Sequence, residues 1–216
     1  MLDNPDSWEG FHWGASHTYG HFWRLGCPEP YDLLEDCLQN CETLILWSHD
    51  PASTHGCYSA NESNIWRKWF QELGISVIYI DPFMLKPGLP KADLILITHE
   101  HMDHNNPGDV AKIMKEGTII ITLARGAEKL SGYVRIIIPG EEMTVRGIPI
   151  RAVPAYNTNK FRSPGVPFHP RELGYVGYLI TVGGVTIYHA GDSDFIPEMK
   201  GLKPDVALLP VSGTYV

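Results

Sequence analysis

Residues 99–104 read His-Glu-His-Met-Asp-His, which places three histidines and two acids within six positions. Imidazole nitrogens and carboxylate oxygens are the donors that zinc takes in catalytic sites, where an open position holds the water that reacts. The chain carries ten histidines in 216 residues, so a chance cluster of this density would be rare. The cluster follows the apolar run "LILIT" (94–98), which reads as a buried strand. Side chains alternate along an extended segment, so His99 and His101 fall on one side. Asp103 and His104 lie past the strand end and can fold back toward a second metal. No Ser-His-Asp arrangement with a nucleophile elbow accompanies them.

The elements that must position this cluster follow from hydrophobic patterning. "TLILWS" (43–48) and "ISVIYIDP" (75–82) read as buried strands, with "ANESNIWRKWFQELG" (60–74) as the helix between them. That β-α-β order predicts a parallel pair with a crossover helix. "PYDLLEDCLQNC" (30–41) has helical spacing, and "NPGDVAKIMKEG" (106–117) reads as a short helix after Asn-Pro. Strands are expected over 92–98, 118–123, 134–139, 148–155, 175–184, 185–191 and 206–211, with Gly183-Gly184 as a two-residue hairpin turn. "RGAEKLSGYVR" carries scattered charge and reads as a solvated face. One strand after another with few helices predicts a sheet-on-sheet core with flanking helices.

Composition bounds the rest. The content is 44% hydrophobic and 19% charged, which is globular. No run approaches a membrane span, and the first residues lack a signal-peptide pattern, so a soluble cytoplasmic protein is expected. A net charge of −8 argues against nucleic acid as a partner. The charge is unevenly spread: residues 1–82 hold 3 Lys/Arg and 12 Asp/Glu, a net of −9, and residues 83–216 hold 14 and 13, a net of +1. All six Trp and all four Cys lie in the first segment. The Cys spacing has no CxxC pair, and Cys37 and Cys41 are expected to be reduced thiols.

"THEHMDH" after an apolar strand resembles the HxHxDH signature of the metallo-β-lactamase fold. "IYHAGDSD" (187–194) is similar to that family's later Gly-Asp element, and "KADLILITHEH", "YVGYLI" and "VALLPVSGTY" resemble its ascorbate-6-phosphate lactonase-like branch. The resemblance covers about 76–216. It implies a Zn-dependent hydrolase of α/β class, a partial αββα sandwich preceded by a βαβ fragment. It further implies His99, His101 and one more histidine on a first metal, Asp103, His104 and one more on a second, and Asp192 bridging them. A metal-bound water of lowered pKa would attack an ester, lactone or phosphodiester, with Asp103 orienting or deprotonating it. Zinc is the expected metal, with manganese or iron as alternatives, and the expected partner is a small-molecule substrate. His189 fits either a position behind the metal ligands or a strand histidine satisfied by a backbone carbonyl. Two departures stand out. The position after Tyr156, where the family places a metal histidine, holds Asn157, so either His169 in "VPFHPREL" swings in or Asn157 supplies a carbonyl oxygen. The family's last metal histidine would lie beyond Val216, so the second site is expected to be incomplete and activity impaired.

Residues 1–82 resemble an internal stretch of the molybdopterin oxidoreductases, nearest the pyrogallol transhydroxylase type. By that resemblance Ser7 would ligate molybdenum, Asp6 would act in catalysis, and "LWSHDP" (46–51) would face the pterin. About 80 residues cannot enclose such a cofactor, so bound molybdopterin is not expected. Both families carry a strand ending "IDP", and the two segments meet at Ile75–Phe83. The expected division is therefore 1–82, an oxidoreductase-like fragment, and 83–216, an incomplete metallo-β-lactamase-like domain. A non-catalytic chimeric protein is the remaining alternative.

Overall fold

The computed structural model describes residues 76–210 in full and the backbone of two short strands, 22–23 and 43–47. The helices expected over 30–41 and 60–74, the "LWSHDP" turn beyond Trp47, and the Cys residues lie outside the described residues, as do 211–216. Two sheets carry the architecture. The first has six strands in sequential order: β1 (Phe22–Trp23), β2 (Thr43–Trp47), β3 (Ser76–Ile80), β4 (Leu94–Leu96), β5 (Ile119–Thr122) and β6 (Tyr133–Ile136). From β2 onward every neighbouring pair is parallel, and β2 pairs β3 as the β-α-β reading requires. Because β3 pairs with β2 on one side and β4 on the other, this sheet runs continuously past residue 82.

The second sheet has the order β13-β12-β11-β8-β7. Its strands are β7 (Glu142–Val145), β8 (Ile148–Pro154), β11 (Val176–Val182), β12 (Val185–His189) and β13 (Val206–Leu208). β11 and β12 pair antiparallel through Gly183 and Gly184, whose positive φ values of 56° and 80° suit the primed hairpin turn. A separate ribbon, β9 (Phe161–Ser163) with β10 (Val166–Pro167), stands between β8 and β11 in the chain. Strand β7 was not expected from the sequence. Its "EMTV" is mostly surface-facing and shows no apolar run.

Alternation explains the layers. Ile78, Ile80, Leu94, Leu96 and Ile121 of the first sheet meet Ile150, Tyr178, Ile180 and Ile187 of the second in the central core. The opposite face of the first sheet presents Val77, Tyr79, Ile95, Ile97 and Ile120 to helix α1 (Pro107–Ile113), which buries Val110 and Ile113. Strands covered on both faces must be apolar at every position, hence the continuous runs in the sequence. Asn106 caps α1 by accepting from the Asp109 N–H, with Pro107 at its first turn. A second short helix, α2 (Ala124–Ala127), follows β5. The outer face of the second sheet is covered, among the described residues, by the 3-10 turn Pro197–Met199, with Met199 packed against the Val153/Tyr188/Ala190 cluster. The result is a partial αββα sandwich. Truncating a fully buried core residue such as Ile80 to Ala would cost about 2–5 kcal/mol.

Tyr178 ties the sheets at one end. Its hydroxyl donates to the Ile97 carbonyl at 2.8 Å, with the Ile121 carbonyl at 3.3 Å. The Val176 N–H donates across to the Thr98 carbonyl at 3.3 Å. This is the end where β3, β4, β8 and β12 all finish and β11 begins, so five connections converge there. No helix among the described residues is long and apolar enough to cross a membrane.

Candidate metal centre

Four histidines and an aspartate gather at that edge. One donor group is His99, His101 and His169; the other is His99, His104 and Asp192; within each group the ligand atoms lie within 4.8 Å of one another. His99 is shared, so the two groups are adjacent. Asp103 is half exposed, with its carboxylate 3.6 Å from His104 Nε2, and it lies outside both groups. Asp6 and Ser7 lie outside the described residues.

Hydrogen bonds behind the rings fix which nitrogen faces inward. Asp81 ends β3 and is buried, and its carboxylate accepts from the Thr98 N–H at 2.8 Å and the Thr98 hydroxyl at 2.8 Å. The Thr98 hydroxyl has thus used its proton. It accepts from His99 Nδ1 at 2.9 Å, which turns the His99 Nε2 lone pair into the cluster. Asp81 also takes the Nδ1–H of His104 at 2.8 Å, which turns that ring's Nε2 inward as well. Asn157 does the same for His169, accepting from its Nδ1 at 2.8 Å. The inward Nε2 atoms of His99 and His169 stand 3.0 and 3.2 Å from His101 Nδ1, and one N–H there could serve only one of them. Two nitrogens held by one tetrahedral zinc stand about 3.4 Å apart. The inward Nε2 atoms of His104 and His169 each lie 3.3 Å from Asp192 Oδ2. The ring nitrogens of His99 and His169, crowded within 3.2 Å of a His101 nitrogen whose one N–H can serve only one neighbour, call for a cation among them, so the donor set fits a metal.

The charge environment differs around the two outer rings. Burial opposes charge on His104, but Asp81 and Asp192 outweigh it and hold its pKa well above the usual value. The Asp81 carboxyl lies below its usual range, because His104, His189 and the Thr98 N–H outweigh its burial. Burial pushes His169 down to about 4, aided by His101 and His104 against the pull of Asp192 and Asp103.

The loops that deliver the later residues are stitched together. A chain excursion of eleven residues separates Asn157 from His169, and the β9–β10 ribbon closes it. The Asn157 side-chain oxygen accepts the His169 backbone N–H at 2.9 Å, and the Asn157 N–H donates to the His169 carbonyl at 2.8 Å. Of the two sequence alternatives, His169 therefore joins the cluster, while the Asn157 oxygen is engaged behind it. The Tyr156 N–H donates to Ser193 Oγ, and Asp194 accepts from the Thr158 and Asn159 N–H groups at 2.6 and 2.9 Å. Gly191 has φ of +62°, and a Cβ there would meet the Val176 carbonyl at 3.0 Å and Thr98 at 3.2 Å. His189 closes β12, and its Nδ1 accepts from the Gly191 N–H at 3.2 Å. It sits behind the cluster, close enough to influence Asp81.

Sequence reading missed Asp81, Thr98 and Tyr175. The Tyr175 ring lies 4.9, 5.7 and 5.9 Å from those of His99, His101 and His169, and its hydroxyl donates to Glu100. An acid ending a wholly apolar strand was the one available signal for Asp81.

Residues 68–216 match the beta-lactamase superfamily domain family. Among curated proteins, the chain is 31% identical over 151 residues to a UPF0173 metal-dependent hydrolase of Methanoculleus marisnigri, covering 68% of this chain and 66% of that protein. It is 35% identical over 164 residues to one of Thermococcus onnurineus, covering 68% and 69%. The chain thus spans about two thirds of the length of these relatives. A crystal structure from Parabacteroides distasonis, described provisionally as a metal-dependent hydrolase, aligns with a TM-score of 0.56 at 39% identity over 64% of this chain and 63% of that one. Over 81 residues the chain is also 54% identical to the pyrogallol hydroxytransferase large subunit of Pelobacter acidigallici, covering 38% of this chain and 9% of that protein. The chain belongs to the beta-lactamase superfamily, with the UPF0173 metal-dependent hydrolases.

Proposed function

We propose that the chain is a metal-dependent hydrolase acting on a small-molecule ester, lactone or phosphodiester, with zinc as the metal and manganese or iron as alternatives. The observation that carries this reading is the convergence of inward-facing ring nitrogens of His99, His104 and His169 on His101 and Asp192. When bound, the metal supplies a Lewis acid and a water activated near neutral pH. His99, His101 and His169 would hold one ion, and His104 and Asp192 beside them would supply donors to a second. Asp103, half exposed beside His104, would take a proton from an attacking water. Asp81, Thr98 and Asn157 keep the rings in the tautomers that present lone pairs inward.

The test is metal content after purification and dialysis, followed by assays with chromogenic ester, lactone and phosphodiester substrates. Wild type is expected to retain metal and His101→Ala to lose a large share of it. Unchanged stoichiometry in His101→Ala would sink the site.

A second reading rests on the 54% identity to the transhydroxylase subunit. Under it, residues 1–82 form an oxidoreductase-like fragment, with Asp6 and Ser7 at a molybdenum position, joined to a hydrolase-like domain over 83–216. Molybdenum and pterin fluorescence in the purified chain would favour it; their absence alongside retained zinc favours the hydrolase.

A further inference from the structure

We infer that Asn157 is the positioning residue for His169, and that this buried amide makes a histidine delivered by the 158–168 excursion usable as a metal donor. The inference rests on the hydrolase reading, since it assigns His169 a metal-facing role.

The geometry is specific. Asn157 and His169 are both buried, 6% and 3% exposed. The Asn157 Oδ1 atom accepts two bonds from one residue, the His169 N–H at 2.9 Å and the Nδ1–H at 2.8 Å. The amide orientation follows from that pairing, because a backbone N–H needs an acceptor and a flipped amide would present a donor to it. The bond to the backbone fixes where the residue stands, and the bond to the ring fixes how the ring is turned. The return bond from the Asn157 N–H to the His169 carbonyl closes the pair, so the eleven-residue excursion ends at a fixed place.

The clasp is repeated on the outside by different chemistry. The Tyr156 hydroxyl donates to Glu198 at 2.9 Å, Arg171 bonds the other oxygen of Glu198 at 2.7 Å, and the Arg171 guanidinium lies 5.0 Å from the Tyr156 ring centre. These contacts hold the same two chain segments but touch no ring nitrogen of the cluster. Asn157 is the partner of Nδ1 and draws the proton there, against the pull of Asp192 and His101 on Nε2. A leucine of similar size would keep the packing and remove that control, whereas an aspartate would keep the acceptor.

The experiment compares wild type, Asn157→Leu and Asn157→Asp as full-length chains. Zinc affinity is read by competition with a chromophoric chelator, and the His169 tautomer by long-range nitrogen NMR on metal-free protein. Outer partners of metal-binding histidines typically change affinity about 10–100-fold. Asn157→Leu is expected to weaken zinc by about that factor, while Asn157→Asp stays near wild type. The wild-type ring should be in the Nδ1–H form, and the leucine variant should lose that preference. Zinc binding by Asn157→Leu equal to wild type would overturn the inference, as would Asn157→Asp falling as far as Asn157→Leu. If neither variant folds, a wild-type His169 in the Nε2–H form still overturns it. Wild-type protein that takes no zinc, yet shows the Nδ1–H form, would defeat the hydrolase reading and leave the positioning of the ring standing.

Discussion

The two sides of the cluster are built by different means. His99, His101 and His104 come from one continuous stretch at the end of a parallel strand, and a single buried acid, Asp81, fixes His104 directly and His99 through Thr98. His169 and Asp192 come from two loops at the edge of the other sheet, held by Asn157, Ser193 and Asp194. The acid-backed ring of His104 has its pKa held well above the usual value, and the amide-backed ring of His169 has its pKa pushed down to about 4. The difference teaches that the residue behind a ring sets its aim, while its basicity follows from all the charge and burial around it: Asp81 and Asp192 together hold His104 up, and burial with His101 and His104 pushes His169 down. A carboxylate favours the charged ring, and an amide orients it without doing so.

The strand-end side depends on one residue, so Asp81→Ala should have the largest effect. It strands the Thr98 N–H, the Thr98 hydroxyl and the His104 Nδ1–H, all buried, and removes the charge partner of His104. Breaking a buried charged pair costs about 3–5 kcal/mol. Asp81 also has φ of 48°, a left-handed geometry that aspartate tolerates better than alanine. Urea unfolding should show a lower midpoint with an unchanged slope. A loss under about 1 kcal/mol would mean that the two sides do not differ in this way.

The same contrast decided what the sequence could reveal. The strand-end side was legible because its donors are contiguous and follow "LILIT", and strands covered on both faces read as unbroken apolar runs. The helix at 107–113 and the Gly-Gly hairpin were legible because Asn-Pro and paired glycines have local geometric meanings. Asp81 was not, because its partners Thr98 and His104 are 17 and 23 positions away and an acid before proline reads as a turn. The loop side was half legible. His169 could be named as a candidate, but "FRSPGVP" gives no sign of a ribbon that returns the chain beside Asn157. Strand β7 was hidden because only its alternate residues Met143 and Val145 face the core, so a four-residue edge strand shows no apolar run.

Gly177→Ala tests the loop side through its backbone. A Cβ at 177 would come within 2.5 Å of the His189 carbonyl and 2.8 Å of the Ala190 carbonyl, and backbone cannot swing aside as a side chain can. The clash pushes the end of β12 away from β11, and Asp192 follows three residues after His189. Overpacking of this kind costs about 1–3 kcal/mol. The expected result is that loss in urea unfolding, together with weaker metal binding. Full stability and affinity would show that the turn carrying Asp192 can shift without consequence.

Asp194→Asn gives the smallest and most selective effect. Burial raises the carboxyl pKa of Asp194, but the Asn159 and Thr158 N–H groups and Lys160 outweigh it and hold the value below the ordinary range. A carboxylate depressed in the folded state stabilises above its unfolded pKa of about 3.9, and that contribution is lost as pH falls through the folded value. An asparagine oxygen can still accept from both N–H groups, so only the charged share of the bonding is lost, about 1 kcal/mol at neutral pH. Wild type and variant should therefore differ in urea midpoint at pH 7 and converge in acid, as the wild-type carboxyl takes up its proton. A constant gap across that range would show that Asp194 holds the 158–159 turn by shape alone. Convergence would show that the loop side too leans on a buried charge, one set behind the backbone that carries the donors and not behind the donor rings.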